Sequence, residues 1–261
     1  MDISTYEDPK KSLILYELGS KLNFLIKLYN SKKFPKVLMI TGLKGIGKST
    51  LINHLLNYIY VSKQYNLNDF IINNKTSFYN HYINNTFSNI IYLNGINFNS
   101  IKIEDIRDLK SNLLKSTISN KERFIILDDI EKFNKNSLNA LLKIVEEPPE
   151  NSFFIFINNK TKPLIETIYS RSLEIKITLT EQMRIKIIES LIKKTNLDIF
   201  IDYKISNLTP GNFLIFNEIS KQYKIDNNEI YLKNFQILVT QYKKTKDINL
   251  MNMLLYLTDF Y

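Results

Sequence analysis

The sequence predicts an α/β fold with a parallel sheet, followed by a smaller helical part. The first observation is a glycine-rich loop at residues 42–50, which stands between an apolar run and a helical pattern. The second is the alternation of short apolar runs with helical patterns up to residue 178, which is typical of a parallel sheet covered by helices. The third is that only helical patterns follow residue 178.

The composition limits the possible classes of protein. A chain of 261 residues has room for one large domain or two modest ones. The net charge of +9 is consistent with nucleic-acid binding. It is equally consistent with an A/T-rich genome, whose codons favour Lys and Asn, so the charge alone does not distinguish these two explanations. There are no cysteines and only two histidines, His54 and His81, so no zinc site is expected. No apolar run is long enough to span a membrane and no signal-peptide pattern is present, so we expect a cytoplasmic protein.

Residues 42–50 read Gly-Leu-Lys-Gly-Ile-Gly-Lys-Ser-Thr and match the phosphate-loop pattern G-x-x-x-x-G-K-[ST]. The apolar run Val37–Ile40 predicts a strand before the loop, and the spacing over Leu51–Ile59 predicts a helix after it. Glycines allow backbone N–H groups to face an anion, and the helix N-terminus adds partial positive charge. We therefore predict that Lys48 reaches the β- and γ-phosphates of a nucleotide and that Ser49 binds Mg²⁺. The alternative is a plain glycine turn before a helix.

Flanking segments complete the first half of the predicted sheet. Leucines at three- and four-residue spacing predict that residues 1–35 are mostly helical, up to Pro35. Residues 63–88 are polar and weakly patterned, and they are expected to form a loop or irregular insertion. A second strand is predicted at Ile90–Leu93 and a helix at Ile101–Lys115.

A continuous apolar run at Phe124–Leu127 predicts a strand buried on both faces, and Asp128 and Asp129 follow it. Because the carboxyl ends of parallel strands meet at one edge of a sheet, both carboxylates should face the same crevice as the glycine loop. We predict that Asp128 holds Mg²⁺, through a water molecule, and that Asp129 orients or activates a water. The alternative is a strand that ends in a solvated acidic turn.

The next helix is predicted at Ser137–Val145 and ends at Glu146-Glu147-Pro148-Pro149. Another buried strand, Phe153–Ile157, is followed by Asn158 and Asn159, which places an amide beside the γ-phosphate. The alternative for this amide is a turn or helix cap, which is a common use of asparagine.

The sheet is predicted to close with a short helix over Leu164–Ser170 and an edge strand, Leu173–Ile177, with alternating polarity. Beyond Thr178 we predict helices at 181–195, 199–207 and 211–222, and one or two more within 230–257. The predicted domains are 1–178, 179–223 and 224–261.

Three stretches resemble the bacterial clamp-loader branch of the AAA+ ATPases. They are the glycine loop at 42–50, Leu127–Ile130 with the run Ser137–Pro149, and Thr167–Ser172, which resembles the signature T-I-x-S-R-C. The Ser137–Pro149 run is similar to the family's long and specific N-A-L-L-K-x-x-E-E-P-P. The resemblance covers roughly residues 15–222 and implies an AAA+ P-loop domain with a five-stranded parallel sheet. It also implies a small helical lid domain and a C-terminal helical collar, which looks truncated here.

The resemblance also implies a role for each matching residue. The ATP phosphates and Mg²⁺ would be bound by the loop and the first turn of its helix, at Gly42, Gly45, Gly47, Lys48, Ser49 and Thr50. Asp128 would support the metal together with Ser49, and Asn159 would occupy the first sensor position. Arg171 would be an arginine finger that acts on ATP held by the next subunit. The alternative for Arg171 is a surface salt bridge.

Within the family, the chain is more similar to the delta-prime subunit of DNA polymerase III than to the gamma/tau motor subunit. Asp129 stands where the motor usually has Glu, Thr209–Asn212 lacks the motor's lid arginine, and the cysteine zinc module is missing. Ser172 replaces the signature cysteine, which should leave the arginine's role intact.

This resemblance implies an ATP-binding subunit of a hetero-oligomeric clamp-loader ring that helps load the sliding clamp onto primed DNA. The chain's own ATPase activity is expected to be weak or absent. Two alternatives stay open at this point: an autonomous motor ATPase, and a different AAA+ protein such as a replication initiator or a repair helicase loader.

Overall fold

The fold is described from a computed structural model, which covers residues 8–95, 103–114, 122–195, 197–225 and 231–260. The chain divides between Thr178 and Leu179 into two compact units. The finer division predicted near residue 224 stays a prediction, as do the roles of lid and collar.

The first unit is built on a parallel sheet of five strands in the order β2-β3-β4-β1-β5. The strands are β1 (Val37–Thr41), β2 (Ile90–Asn94), β3 (Arg123–Asp128), β4 (Ser152–Asn158) and β5 (Leu173–Lys176). The three central strands are almost wholly buried, as their continuous apolar runs predict, whereas β2 and β5 are partly exposed at the edges. The five-stranded parallel sheet is therefore confirmed.

Helices cover this sheet and connect its strands. They are α1 (Gly19–Asn30), α2 (Lys48–Val61), α3 (Ser77–Ile83), α4 (Ile103–Leu114), α5 (Lys135–Glu146) and α6 (Glu166–Tyr169). α5 begins where the Asn134 side chain accepts a hydrogen bond from the N–H of Ser137, which satisfies a free helical donor. Its apolar stripe, which includes Leu141 and Ile144, is buried against the sheet together with residues of α4.

The second unit contains four described helices. They are α7 (Glu181–Thr195), α8 (Pro210–Gln222), α9 (Tyr231–Thr245) and α10 (Ile248–Phe260). α8 begins with proline at its first position, where the missing N–H is not needed. None of the helices in the described ranges is long and apolar enough to cross a membrane.

The prediction that residues 1–35 are mostly helical is wrong for the part preceding Gly19. A short 3-10 helix spans Pro9–Lys11, and the chain then runs extended, with Ile14 bridged to Ile71. α1 begins only at Gly19, where a Cβ atom would lie 2.1 Å from the Phe70 ring. The leucine spacing predicts burial correctly here, but backbone pairing with residues 70–72 replaces the helix. Residues 1–7 lie outside the described ranges.

The segment 63–88 is more regular than predicted. A 3-10 helix spans Ser62–Gln64, and α3 begins after Thr76, whose hydroxyl accepts a hydrogen bond from the N–H of Tyr79. α3 is held by aromatic packing, because the Phe78 ring stacks on that of Tyr60 from α2 at 4.9 Å between centroids.

The helix predicted at 199–207 is not formed, because buried side chains capture the backbone of this segment. Asn217 accepts a hydrogen bond from the N–H of Phe200 at 2.6 Å. Arg184, which is only 7% exposed, donates to the backbone oxygens of Tyr203, Ser206 and Leu208 at 2.8–3.1 Å. These bonds hold the segment in a non-helical path, in which the N–H of Ser206 still reaches the oxygen of Asp202 at 2.9 Å.

We predict that Arg184→Lys destabilises the second unit by about 2 kcal/mol, because a single ammonium cannot span carbonyls that a planar guanidinium reaches at once. Denaturant unfolding followed by circular dichroism measures the change. Lys186→Ala, on the exposed face of the same helix, is the control and should have little effect. Equal unfolding midpoints for Arg184→Lys and the wild type would contradict the prediction.

Candidate functional site

The glycine loop leaves β1 at Gly42 and delivers the chain into α2 at Lys48. A Cβ atom at Gly42 would lie 2.5 Å from the carbonyl oxygen of Ile177, so the close approach of two backbones requires glycine here. Gly47 has a φ of 93°, which places it in the left-handed region just before the helix. Gly45 lies within the loop, and Thr50 lies in the first turn of α2. The predicted arrangement of strand, loop and helix is therefore formed.

The Lys48 side chain folds back inside this loop. Its ammonium donates to the carbonyl oxygens of Gly42 at 2.8 Å and Leu43 at 2.6 Å, and the residue is only 3% exposed. Burial lowers the pKa of Lys48 to about 8, although Asp128 and Glu131 partly oppose the shift. The direct hydrogen-bond partners of this buried ammonium are neutral carbonyls, which phosphate oxygens could replace as acceptors.

Asp128, at the end of β3, is brought together with Ser49 as predicted. Asp128 Oδ2 accepts a hydrogen bond from the Ser49 hydroxyl at 2.9 Å, and Oδ1 accepts one from the N–H of Asp129 at 2.9 Å. Burial raises the pKa of Asp128, although these hydrogen bonds partly oppose the shift.

Tyr92 is a site residue that the sequence analysis missed. Its hydroxyl donates to Asp128 Oδ2 at 2.5 Å, beside the bond from Ser49. The register pairs Asn94 with Asp128, and side chains two residues apart share a face of a sheet. Counting back by two from the end of β2 would have placed Tyr92 on the face of Asp128.

Asn159 joins Asp129 directly after β4. The Asn159 amide donates to Asp129 Oδ1 at 3.0 Å, and Lys132 lies 3.4 Å from the same oxygen. The neighbouring Asn158 instead donates to the Tyr169 hydroxyl at 3.0 Å, so the two asparagines have separate partners. Asp129 has a φ of 51°, and this left-handed conformation turns the chain at the end of β3.

Glu131 is a second residue that the sequence analysis missed. It is 5% exposed, and its carboxylate accepts hydrogen bonds from the N–H of Asn159 at 3.2 Å and from the Thr161 hydroxyl at 2.7 Å. Glu131 therefore fixes the loop that presents the Asn159 amide to Asp129. An acidic residue two positions after the aspartate pair carries no pattern that distinguishes it from a solvated one.

Arg171 lies at the end of α6 and is held by an ion pair. Its guanidinium donates to Glu146 Oε1 at 2.6 and 2.9 Å and to the Thr167 carbonyl at 3.1 Å. The Arg171 side chain is 34% exposed and that of Glu146 is 47% exposed. The salt bridge considered as the alternative is thus formed, and the role toward a neighbouring subunit stays a prediction.

The oxygen donors at this site suit Mg²⁺. The Ser49 hydroxyl and the Asp128 carboxylate are hard oxygen ligands, and magnesium is usually held by one or two carboxylates together with phosphate oxygens and water. Within the described residues there is no group of three or more His, Cys, Asp or Glu side chains that could hold a metal. A magnesium ion held by Ser49 and Asp128 would complete its coordination with phosphate oxygens and water.

Comparison with known proteins places the chain in a family. A sequence profile of the family described as DNA polymerase III, delta subunit, matches residues 19–181, which is more than half of the chain. DNA polymerase III subunit gamma of Buchnera aphidicola subsp. Schizaphis graminum is 28% identical over 137 residues, which cover 51% of this chain and 38% of that protein. Subunit delta' of Buchnera aphidicola subsp. Baizongia pistaciae is 25% identical over 161 residues, which cover 59% of this chain and 45% of that protein. The chain thus matches less than half the length of these relatives.

A solved structure agrees with the predicted fold. A RuvB mutant of Thermotoga maritima superposes with a TM-score of 0.50 at 15% identity, and the match covers 91% of this chain and 80% of that chain. At this identity the likeness concerns the fold alone. The predicted parallel α/β fold and the predicted clamp-loader AAA+ family are confirmed, and the choice of delta-prime within that family stays a prediction.

We predict that the buried ammonium of Lys48 makes stability depend on pH. The unfolded chain keeps this lysine protonated up to its ordinary pKa of 10.5, whereas the folded protein releases the proton near pH 8. Between these values the unfolded state binds more protons, so the wild type gains stability as pH rises, and Lys48→Met does not. The wild type should gain on the order of 2 kcal/mol over Lys48→Met by about pH 10.

Thermal and denaturant unfolding without nucleotide, from neutral to alkaline pH, measures this difference. Lys27→Met replaces an exposed lysine of α1 and should follow the wild type at every pH. A difference between the wild type and Lys48→Met that stays constant with pH would contradict the prediction.

Proposed function

Because the chain belongs to the family described as DNA polymerase III, delta subunit, we propose that it is a clamp-loader subunit with a delta-prime-like role that binds Mg·ATP. It would act in a hetero-oligomeric ring with other clamp-loader subunits and help to place a sliding clamp on primed DNA. Such work would locate it in the cytoplasm. The observation that carries the proposal is the bond from Ser49, at the start of α2, to Asp128, at the end of β3, directly beside Lys48.

In the proposed site, different residues would bind the phosphates and the magnesium ion. The loop and the N-terminus of α2 would receive the phosphates, and Lys48 would exchange its carbonyl partners for phosphate oxygens. Ser49 and Asp128 would hold Mg²⁺, which when bound neutralises phosphate charge. Asn159 would lie at the γ-phosphate end of the site, fixed there by Glu131.

The delta-prime assignment is finer than family membership, because the relatives include both gamma and delta' subunits. It rests on the absence of an arginine at Thr209–Asn212 and on aspartate at position 129. The contacts of Asp129 support it further. Its carboxylate oxygen Oδ1 accepts from Asn159 and pairs with Lys132, and these contacts restrict the movement of a side chain that is already one methylene shorter than the motor's Glu. We therefore propose weak or absent hydrolysis by the isolated chain.

A turnover assay separates this role from that of an autonomous motor ATPase. The isolated chain should turn over ATP well below about 1 s⁻¹, the low end of ordinary enzyme rates. A rate at or above that value would favour the motor.

The test of nucleotide binding is calorimetric titration of ATP with Mg²⁺ into wild type and Lys48→Ala. We expect Lys48→Ala to lose most of its affinity, at least tenfold, because it removes the cation that faces the phosphates. The circular dichroism spectrum should remain that of a folded protein. Lys27→Ala is the matched control and should bind like the wild type. Equal affinity of Lys48→Ala and wild type would show that residues 42–50 do not bind the nucleotide.

A separate prediction concerns Arg171, which we propose acts on ATP bound by a neighbouring subunit. Arg171→Ala should leave ATP binding by this chain unchanged, because Arg171 contacts Glu146 and Thr167 rather than the loop. In a complex reconstituted with partner subunits, the neighbouring site that Arg171 serves should hydrolyse ATP about 10³-fold more slowly. Arg171→Lys should rescue it poorly, since an ammonium lacks the planar fork.

Glu146→Gln provides the matched control for Arg171. It weakens the ion pair but keeps the arginine, so hydrolysis by the reconstituted complex should be retained. If Arg171→Ala leaves hydrolysis by the complex unchanged, Arg171 has only the structural role that its contacts already show.

A further inference from the structure

The carboxylate of Asp128 is surrounded by donors from the protein itself. An ionised carboxylate has about four lone-pair positions. Oδ2 accepts from Ser49 at 2.9 Å and from Tyr92 at 2.5 Å, while Oδ1 accepts from the N–H of Asp129 at 2.9 Å. The amide of Asn159 lies 3.5 Å from Oδ1, at the limit of a hydrogen bond. Both positions on Oδ2 are therefore taken.

One of these bonds is compatible with magnesium and the other competes with it. A serine hydroxyl can donate its proton to a carboxylate while its own lone pair binds a metal, so the bond from Ser49 need not break. The bond from Tyr92 competes with the metal. Because Ser49 contacts Oδ2, a metal ion held by Ser49, or a water bound to that ion, would use a lone pair of the same oxygen, and the Tyr92 hydroxyl occupies the second one.

We propose that Tyr92 is a positioning residue that holds the Asp128 carboxylate in place and thereby weakens the binding of Mg²⁺ to it. This inference rests on the proposed Mg·ATP site and adds to it a residue outside the glycine loop. If Ser49 and Asp128 were present without the Tyr92 bond, Mg²⁺ would increase the affinity for the nucleotide more than it does in this chain.

The Tyr92 ring is itself held by a neighbouring cation. The ammonium of Lys10 lies 4.8 Å from the centroid of the Tyr92 ring and 5.2 Å from that of Tyr82, within the range of a cation–π interaction. Lys10 also donates to Asn85 Oδ1 at 2.7 Å, which fixes its position. A cation over the ring face draws electron density from the phenol and strengthens it as a donor. The hydroxyl would therefore leave Asp128 only at a cost.

Tyr82 supplies a matched comparison in the same cluster. Its ring contacts the same Lys10, but its hydroxyl donates to the Asn53 side chain on α2 instead of to Asp128. Tyr92→Phe and Tyr82→Phe thus remove the same atom from neighbouring rings, and only the first frees a lone pair on Asp128.

The experiment is calorimetric titration of ATP into the full chain, with excess Mg²⁺ and again with a chelator, for wild type, Tyr92→Phe and Tyr82→Phe. The measured quantity is the ratio of the two affinities, with folding checked by circular dichroism. We expect Tyr92→Phe to raise this ratio about fivefold, the size of one ordinary hydrogen bond. Tyr82→Phe should leave the ratio at the wild-type value.

The outcomes are distinguishable from each other. An unchanged or lowered ratio in Tyr92→Phe, with ATP still bound, overturns the role of Tyr92 and leaves the proposed function standing. An equal rise in Tyr82→Phe also overturns it, because the cause would then be general loosening of the cluster. Failure of the wild type to bind ATP under either condition removes the proposed function, and the inference with it.

Discussion

The burial of one carboxylate, that of Asp128, constrains the architecture of the first unit. An ionised carboxylate in the interior costs several kcal/mol unless hydrogen bonds offset the loss of water. The donors come from the start of α2 (Ser49), from β2 (Tyr92) and from the chain that leaves β3 (Asp129). They converge only if β1, β2 and β3 end at the same edge of the sheet, so the parallel order and register of the strands are what make the burial tolerable.

The same edge of the sheet carries another buried carboxylate, that of Glu131, which has a different role. Its partners are the backbone of Asn159 and both the backbone and hydroxyl of Thr161, so it stabilises a loop after β4. Asp128 and Glu131 together link the ends of β3 and β4 to the glycine loop. Their negative charges partly offset the burial of Lys48, although desolvation remains the larger effect on its pKa. The site thus contains buried charges of both signs.

The sequence predicts the parts of this site that follow a regular pattern. Apolar runs locate the strands, the glycine pattern locates the loop, and the rule that parallel strands end together brings Ser49, Asp128 and Asn159 to one place. Tyr92 and Glu131 were missed for different reasons. Tyr92 needs the register of β2 against β3, which depends on pairing with a distant strand, and Glu131 needs the path of the loop after β4.

Two errors in secondary structure have a related cause. Helical spacing predicted a helix over 199–207 and another before Gly19, and in both places long-range partners take the backbone hydrogen bonds. Arg184 captures three carbonyls in the first case, and residues 70–72 pair with the chain in the second. Spacing reports which side chains are buried, and it cannot distinguish a helix from an extended segment whose backbone is satisfied from elsewhere. The roles assigned to individual site residues, in contrast, remain predictions that need binding and kinetic measurements.

The ion pair between Arg171 and Glu146 has short distances but contributes little to the free energy of folding. An ion pair between side chains that are 34% and 47% exposed contributes about 0–1 kcal/mol, because solvent screens the attraction. The bond from Arg171 to the Thr167 carbonyl ties the guanidinium to the end of α6 independently of Glu146. The arginine is thus positioned by the helix that precedes it, while its carboxylate partner can be exchanged at little cost. In the proposed role as an arginine finger, Arg171 would exchange Glu146 for phosphate oxygens, which offer more negative charge and several acceptors.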